Sequence, residues 1–238
     1  MIGARIVIGK KNKDEGEKPF WISFADLMSA LMVLFLLVMS VALLAVTKTV
    51  SETERKKTER ELQIQQLLTQ IETSTKKYPG ISIDMSRNVI DFGDQARFDS
   101  GSSQLSAVQA QSLRAFVPEV LETARNELGK KWFKRVVVEG FADQRGDYLL
   151  NLNLSLQRSQ RVLCVLFAPP ATTERAMTPS ELEQIRDLFL VGGYSFNSAK
   201  KSFEESRRIE LRLEFFGIDE PHPSSAEIPL GNFGVCRI

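Results

Sequence analysis

Apolar and polar residues alternate along this chain with a period that changes from block to block. From Pro19 to Val46 it reads PFWISFADLMSALMVLFLLVMSVALLAV, apolar all round apart from a few hydroxyls and one carboxylate, Asp26. Residues 27–46 carry no charge, and twenty helical residues span about 30 Å, the hydrocarbon thickness of a bilayer. The pattern predicts a transmembrane helix over 20–46, because core helices of soluble proteins are rarely apolar on every face. A signal peptide is a poorer match: its apolar region is about 7–15 residues long, and no small-x-small cleavage site follows here. A retained single-pass anchor is expected.

From 47 to 77 the chain turns polar and charged, with no Gly or Pro until Pro79-Gly80. This predicts a helical linker over 47–79. Ile64, Leu67 and Ile71, with Leu68 beside them, keep a 3-then-4 spacing. Two readings stay open for that stripe, a solvated stalk or a weak dimer seam. Beyond Ile81 the period shortens. ISIDMSRNVIDF alternates as a strand or hairpin would. Residues 103–128 read as helix, interrupted near Pro118. FKRVVVEGFAD is a strand of buried type, 147–167 a helix stopped by Pro169-Pro170, LFLVGGY a second buried strand, and RRIELRLEFF an alternating last strand. Strands interleaved with helices over 80–217 make one α/β (α+β) domain. Residues 1–19 remain as an N-terminal segment and 218–238 as a C-terminal tail.

Charge narrows the function classes. With Lys+Arg 31 against Asp+Glu 30, a direct nucleic-acid binder held by bulk positive charge is not expected. Charge does not orient the anchor, since Arg5, Lys10, Lys11, Lys13 and Lys18 before it are matched by Lys48, Arg55, Lys56, Lys57 and Arg60 after it. The sole histidine, His222, stands between two prolines, which argues against a catalytic triad or a zinc site. No phosphate-binding Gly-x4-Gly-Lys-Ser/Thr pattern occurs. No catalytic residue, metal or cofactor is therefore expected, and the chain is not expected to be an enzyme. Cys164 and Cys236 are the two cysteines; they fit a disulfide in an oxidising compartment or buried free thiols equally.

The carboxylate in the apolar run is the strongest chemical signal. If the helix enters the bilayer near Phe20, Asp26 lies six residues, or about 9 Å, deeper. A charge near the bilayer centre costs roughly 2.5–3.5 kcal/mol on insertion scales. Hydrocarbon penalises the ionised form of any carboxyl group, so such a group loads and unloads a cation as its access to water changes. Ser23, Asp26, Ser29, Ala30 and Val33 share one small, partly polar helical face, suited to packing against partner helices. Ion binding by Asp26 with Ser23 is the expected role; a hydrogen bond that merely cements a helix pair is the alternative.

WISFADLMSALMVLFLLVM resembles the transmembrane helix of MotB-type stator subunits, where an aromatic, a short spacer and an Ala-Asp pair precede Met-rich apolar sequence. The resemblance implies that Asp26 carries a translocated proton or sodium ion. The domain over 81–216 resembles OmpA-like peptidoglycan-binding domains through four ordered blocks: FDSGSSQLS, VEGFADQRGDYLLNLNLSLQRSQRV, GGYSFN and ESRRIELRL. It departs from that family's usual residues at Phe141, Ala142, Ser159 and Ser206. By the match, Asp143 and Arg158 would contact a diaminopimelate of the wall peptide. The first would serve as acceptor for its ammonium, the second as a planar fork for its carboxylate. Asn151 and Leu154 would shape the pocket and Arg207 would line the same cleft. Helix capping by Asp143 and a surface ion pair for Arg158 are the plainer alternatives.

The resemblance further implies an inner-membrane protein with its N-terminus cytoplasmic and its C-terminal domain periplasmic. Two copies would stand inside a ring of five larger MotA-like membrane subunits. Flagellar members carry a longer periplasmic linker and a plug; no amphipathic plug rich in bulky apolar residues is evident here. The compact length and the PFWISFADLMSALM entry are most similar to the stator-like subunits of Zorya anti-phage systems. An ion-driven defence motor is expected, with a flagellar stator, or a passive peptidoglycan tether without ion flow, as alternatives.

Overall fold

The computed structural model describes residues 18–170, 175–222 and 233–236. The expected cytoplasmic segment therefore lies almost wholly outside the described residues, as does the middle of the C-terminal tail. The chain divides into two compact units, one up to Lys56 and one from Lys57 onward.

The first unit is built on helix α1 (Lys18–Thr75). With no glycine or proline between Phe20 and Tyr78, nothing in the sequence breaks the helical ladder. Its apolar part is uncovered: Trp21, Leu31, Phe35 and Leu44 are all more than half exposed. A buried core helix would not leave such side chains bare, and contiguous apolar surface of this size calls for lipid or other helices. By length and composition the helix can cross a membrane. Its hydroxyls cost little there, because they fold back on the helix. Ser29 Oγ donates to the Ala25 carbonyl at 2.8 Å and Ser40 Oγ to that of Leu36 at 2.7 Å.

The second unit holds a five-stranded sheet in the order β1-β2-β5-β3-β4. The strands are β1 (Ser82–Asp84), β2 (Val89–Asp91), β3 (Phe133–Gly140), β4 (Phe189–Gly193) and β5 (Ile209–Phe215). All neighbours are antiparallel except β3 and β4, which are parallel and so need a crossover between them. That crossover contains α4 (Tyr148–Phe167) and α5 (Pro179–Leu188); the unit also has α2 (Ala107–Arg125), α3 (Glu127–Trp132), the single turn α6 (Phe203–Ser206) and a 3-10 turn at Gly93–Ala96. The sequence did not predict α5, although Thr178 and Glu181 form a reciprocal capping box with Pro179 at the first turn, a recognisable helix start. Nor is the helix interrupted at Pro118, which lies inside α2. It lacks the N–H with which the helical ladder would reach back to the turn before it. In that turn the Tyr78 hydroxyl donates to the Ala115 carbonyl at 3.0 Å.

Helix α4 packs on β3 and β4 at backbone distance. A Cβ on Gly140 would stand 1.9 Å from the Ser155 carbonyl oxygen, and one on Gly193 2.6 Å from Leu156 Cγ. The strand ends are glycine because the helix occupies the space of a side chain. Ser155 Oγ, in the gap, accepts a hydrogen bond from the Ser195 backbone N–H at 3.0 Å. A disulfide joins Cys164 on α4 to Cys236, with Cα atoms 5.5 Å apart, and the Phe167 and Phe233 rings meet 4.8 Å between centroids. The tail is thus tied to the helix.

The stripe Ile64, Leu67, Leu68 and Ile71 is neither a bare stalk nor an open seam. These residues are buried in one cluster with Phe92, Phe116, Val120, Val136 and Leu213. Gln63 accepts from the Trp132 indole N–H at 2.6 Å, and the Arg60 guanidinium donates to the Phe216 carbonyl at 2.7 Å. The structure corrects the boundary expected at residue 80, because residues 57–75 supply part of the domain's own core. The physical reason is that an apolar stripe specifies burial but not its partner. Leu67→Ala is accordingly expected to destabilise the domain by about 2–5 kcal/mol, read as a lowered urea midpoint of the full chain in detergent. An unchanged midpoint would return the segment to a solvated stalk.

Candidate functional site

The loop between β3 and α4 carries Asp143, Gln144, Arg145 and Gly146, and the helix that follows brings Asn151, Leu154 and Arg158 to the same place. Asp143, Arg145, Asn151, Leu154 and Arg158 line a cleft of about 340 Å³, with Ser100 and Gly101 contributed from earlier in the chain. Asp143, Asn151, Leu154 and Arg158, singled out from sequence, are therefore brought together. Arg207 reaches the cleft through Asp143.

Arg158 is fully buried, and three of the five N–H groups of its guanidinium go to main-chain carbonyls. Nε donates to Ser102 at 2.9 Å, Nη1 to Phe141 at 2.8 Å and Nη2 to Asp99 at 3.1 Å. Its guanidinium also lies 5.0 Å from the centre of the Phe98 ring, a stacking that suits a weakly hydrated planar cation. Burial, and after it the neighbouring Arg207 charge, push this guanidinium down to about 10, so it stays charged near neutral pH. A surface ion pair is not its role: it fastens the 99–102 loop and the end of β3 into one wall.

Asp143 is buried and held by cations. Its Oδ1 accepts from the Arg145 backbone N–H at 3.0 Å and from Arg145 Nε at 3.3 Å; its Oδ2 accepts from Arg145 Nη2 at 2.6 Å and from Arg207 Nη1 at 3.1 Å. It does not cap α4, whose N-cap is Asp147. Arg207 Nε is anchored on the Phe98 carbonyl at 2.8 Å, and Asn151 Nδ2 on that of Arg145 at 2.8 Å. Arg145 was missed from sequence. The available signal was local, an Asp followed two residues later by a long donor in a Gly-terminated turn. Phe141, where the sequence departs from the resembled family, supplies the carbonyl for Arg158 and a ring 4.1 Å from the Arg208 guanidinium. Ser159 is buried and donates to the Leu156 carbonyl at 2.9 Å, and Ser206 Oγ accepts from the Lys200 N–H at 2.8 Å. These departures are absorbed by local hydrogen bonds.

Asp26 and Ser23 stand three residues apart on α1, hence on one helical face. Among the described residues the Asp26 carboxylate has no hydrogen-bond or ion-pair partner within the chain. Groups of three or more His, Cys, Asp or Glu arranged to hold a metal do not occur among the described residues.

Residues 8–60 match a family model named for the MotB plug and described as the membrane MotB of the proton-channel complex MotA/MotB. No plug was evident in the sequence, and past Val46 the matched stretch has Val50 as its one large apolar side chain. The Zorya protein ZorB of Escherichia coli O139:H28 is 43% identical over 242 residues, covering all of this chain and 98% of that protein. The chain belongs to the ZorB family. Among solved structures, the periplasmic domain of Helicobacter pylori MotB is 15% identical over 53% of this chain and 80% of that one, at TM-score 0.34. The cell wall anchor of the T6SS from Pseudomonas aeruginosa is 19% identical over 61% of this chain and 94% of that one, at TM-score 0.36. Assignment to the ZorB family rests on the full-length relative.

Arg145, foremost, and Arg207 hold the Asp143 carboxyl down to about 2, from an ordinary 3.8. A depressed folded value means stability that is complete above about pH 4 and lost as pH falls toward 2, worth at most about 2 kcal/mol. The stability difference between the wild-type chain and Asp143→Asn should therefore shrink across that window, measured as urea midpoints against pH. A difference that is flat from pH 5 to pH 2 would contradict the ion-pair geometry.

Proposed function

We propose that this chain is the wall-anchored, ion-carrying subunit of an inner-membrane stator in anti-phage defence. The observation that carries the reading is Asp26: one carboxylate in an otherwise uncharged, uncovered helical run, with no partner among the described residues. A tether gains nothing from that costly group, whereas an ion path requires it. Membership of the ZorB family and the MotB family match over 8–60 support the same reading.

One helix cannot enclose a polar path through lipid, so larger MotA-like subunits supply the remaining walls. The arrangement proposed is two copies of this chain within five such subunits, N-termini cytoplasmic and the 57–238 unit periplasmic. Asp26 takes up an ion, a proton in the first instance because a single carboxylic acid is neutral when loaded, and releases it when its access to water changes. Each unit charge moved delivers about 2.3 kcal/mol per 100 mV of membrane potential, available to turn the surrounding ring. Reaction torque is taken by the wall. The cleft around Asp143 and Arg158 binds the diaminopimelate of peptidoglycan, whose ammonium and carboxylate match an acceptor and cationic donors.

In cells carrying the native operon, Asp26→Asn at equal membrane levels is expected to abolish both protection against phage plating and ion flux. Equal protection by the variant would leave a passive tether; a motility defect without a plating defect would point to a flagellar stator. Separately, the Asp143→Asn and Arg158→Gln double variant should lose retention on purified sacculi, and full retention would refute the cleft.

A further inference from the structure

We propose that Arg145 is an internal competitor for Asp143, so that a ligand ammonium reaches this carboxylate only by exchanging with the Arg145 guanidinium. This rests on the wall-binding reading given above. A carboxylate offers about four lone-pair positions, and Asp143 has four donors: the Arg145 N–H, Arg145 Nε, Arg145 Nη2 and Arg207 Nη1. No acceptor position is left for an incoming cation.

The two guanidiniums are not equally free to leave. The Arg207 side chain is 13% exposed and fixed by its bond to the Phe98 carbonyl. That of Arg145 is 50% exposed. Its other contacts are at the surface, Ser100 Oγ at 3.1 Å and the half-exposed Phe203 ring at 4.9 Å. Arg145 can withdraw into water with a small loss of contact, because its end of the ion pair is half-exposed while the Asp143 end is buried.

The exchange also selects the ligand. Around the cleft one carboxylate, Asp143, faces three cations, Arg145, Arg158 and Arg207. An ammonium added without displacement would be a fourth. A purely cationic group such as a lysine side chain swaps one cation for another and gains little. A centre bearing both ammonium and carboxylate replaces Arg145 on Asp143 and at the same time brings a negative charge to the remaining guanidiniums. Arg145 thus raises the threshold for ammonium alone and leaves the zwitterion favoured.

The test uses the full chain in detergent with two probes, the stem tripeptide ending in meso-diaminopimelate and its counterpart ending in lysine. Arg145→Gln is expected to bind the diaminopimelate tripeptide about fivefold more tightly than wild type and to discriminate less against the lysine tripeptide. Arg145→Lys, which keeps the charge but not the fork, should fall between the two. Weaker or unchanged binding by Arg145→Gln, with Asp143→Asn losing binding, would overturn the competitor and leave the wall site standing. Undiminished binding by Asp143→Asn would overturn both.

Discussion

The Arg158 guanidinium has to satisfy its donors without water, and the geometry of the cleft follows from how it does so. A buried cation can be matched by a carboxylate or by aligned carbonyl dipoles. Here the three carbonyls of Asp99, Ser102 and Phe141 do the work, which draws a loop from before α2 and the end of β3 onto one side chain of α4. The guanidinium reaches them only because α4 lies at backbone distance from the sheet, and that approach needs Gly140, Gly193 and Ser155 where they are. Larger side chains at the strand ends would lift the helix and pull the fork off its carbonyls.

The arrangement leaves Asp143 free for a different task. Since Arg158 does not claim it, its oxygens are held by Arg145 and Arg207, groups that differ fourfold in exposure. Two other buried acids of the domain are closed off: Glu139 takes a bidentate Arg212 at 2.6 and 3.0 Å, and Glu210 takes Arg208 at 2.8 Å. Asp143 alone of these three is part of the wall of an open cleft.

What the sequence disclosed depended on how local each signal was. The apolar run, the buried strands and α4 follow from composition and period within a few turns. Asp143, Asn151, Leu154 and Arg158 were grouped through the resemblance to OmpA-like domains, and the matching block lies within one strand–turn–helix unit. The stripe at Ile64, Leu67 and Ile71 announced burial but could not say against what, since its partners Phe92 and Val120 lie far along the chain. The choice between bridged and free cysteines was undecidable for the same reason: 72 residues separate them. Arg145 escaped notice because its importance lies in saturating a neighbour, and saturation is a property of geometry. Helix α5 was different. Its capping box was in plain view at Thr178 and Glu181.

The strand order carries a consequence for biogenesis. β5, the last strand in the chain, sits between β2 and β3, so the sheet cannot close until residues 209–215 are available. The flanking pairs β1–β2 and β3–β4 are each below the size that is stable alone, and each would present an open edge without β5. Long-range closure of this kind is slow. For a chain made from its N-terminus onward, the two halves of the sheet are therefore joined only once the C-terminal strand has been made.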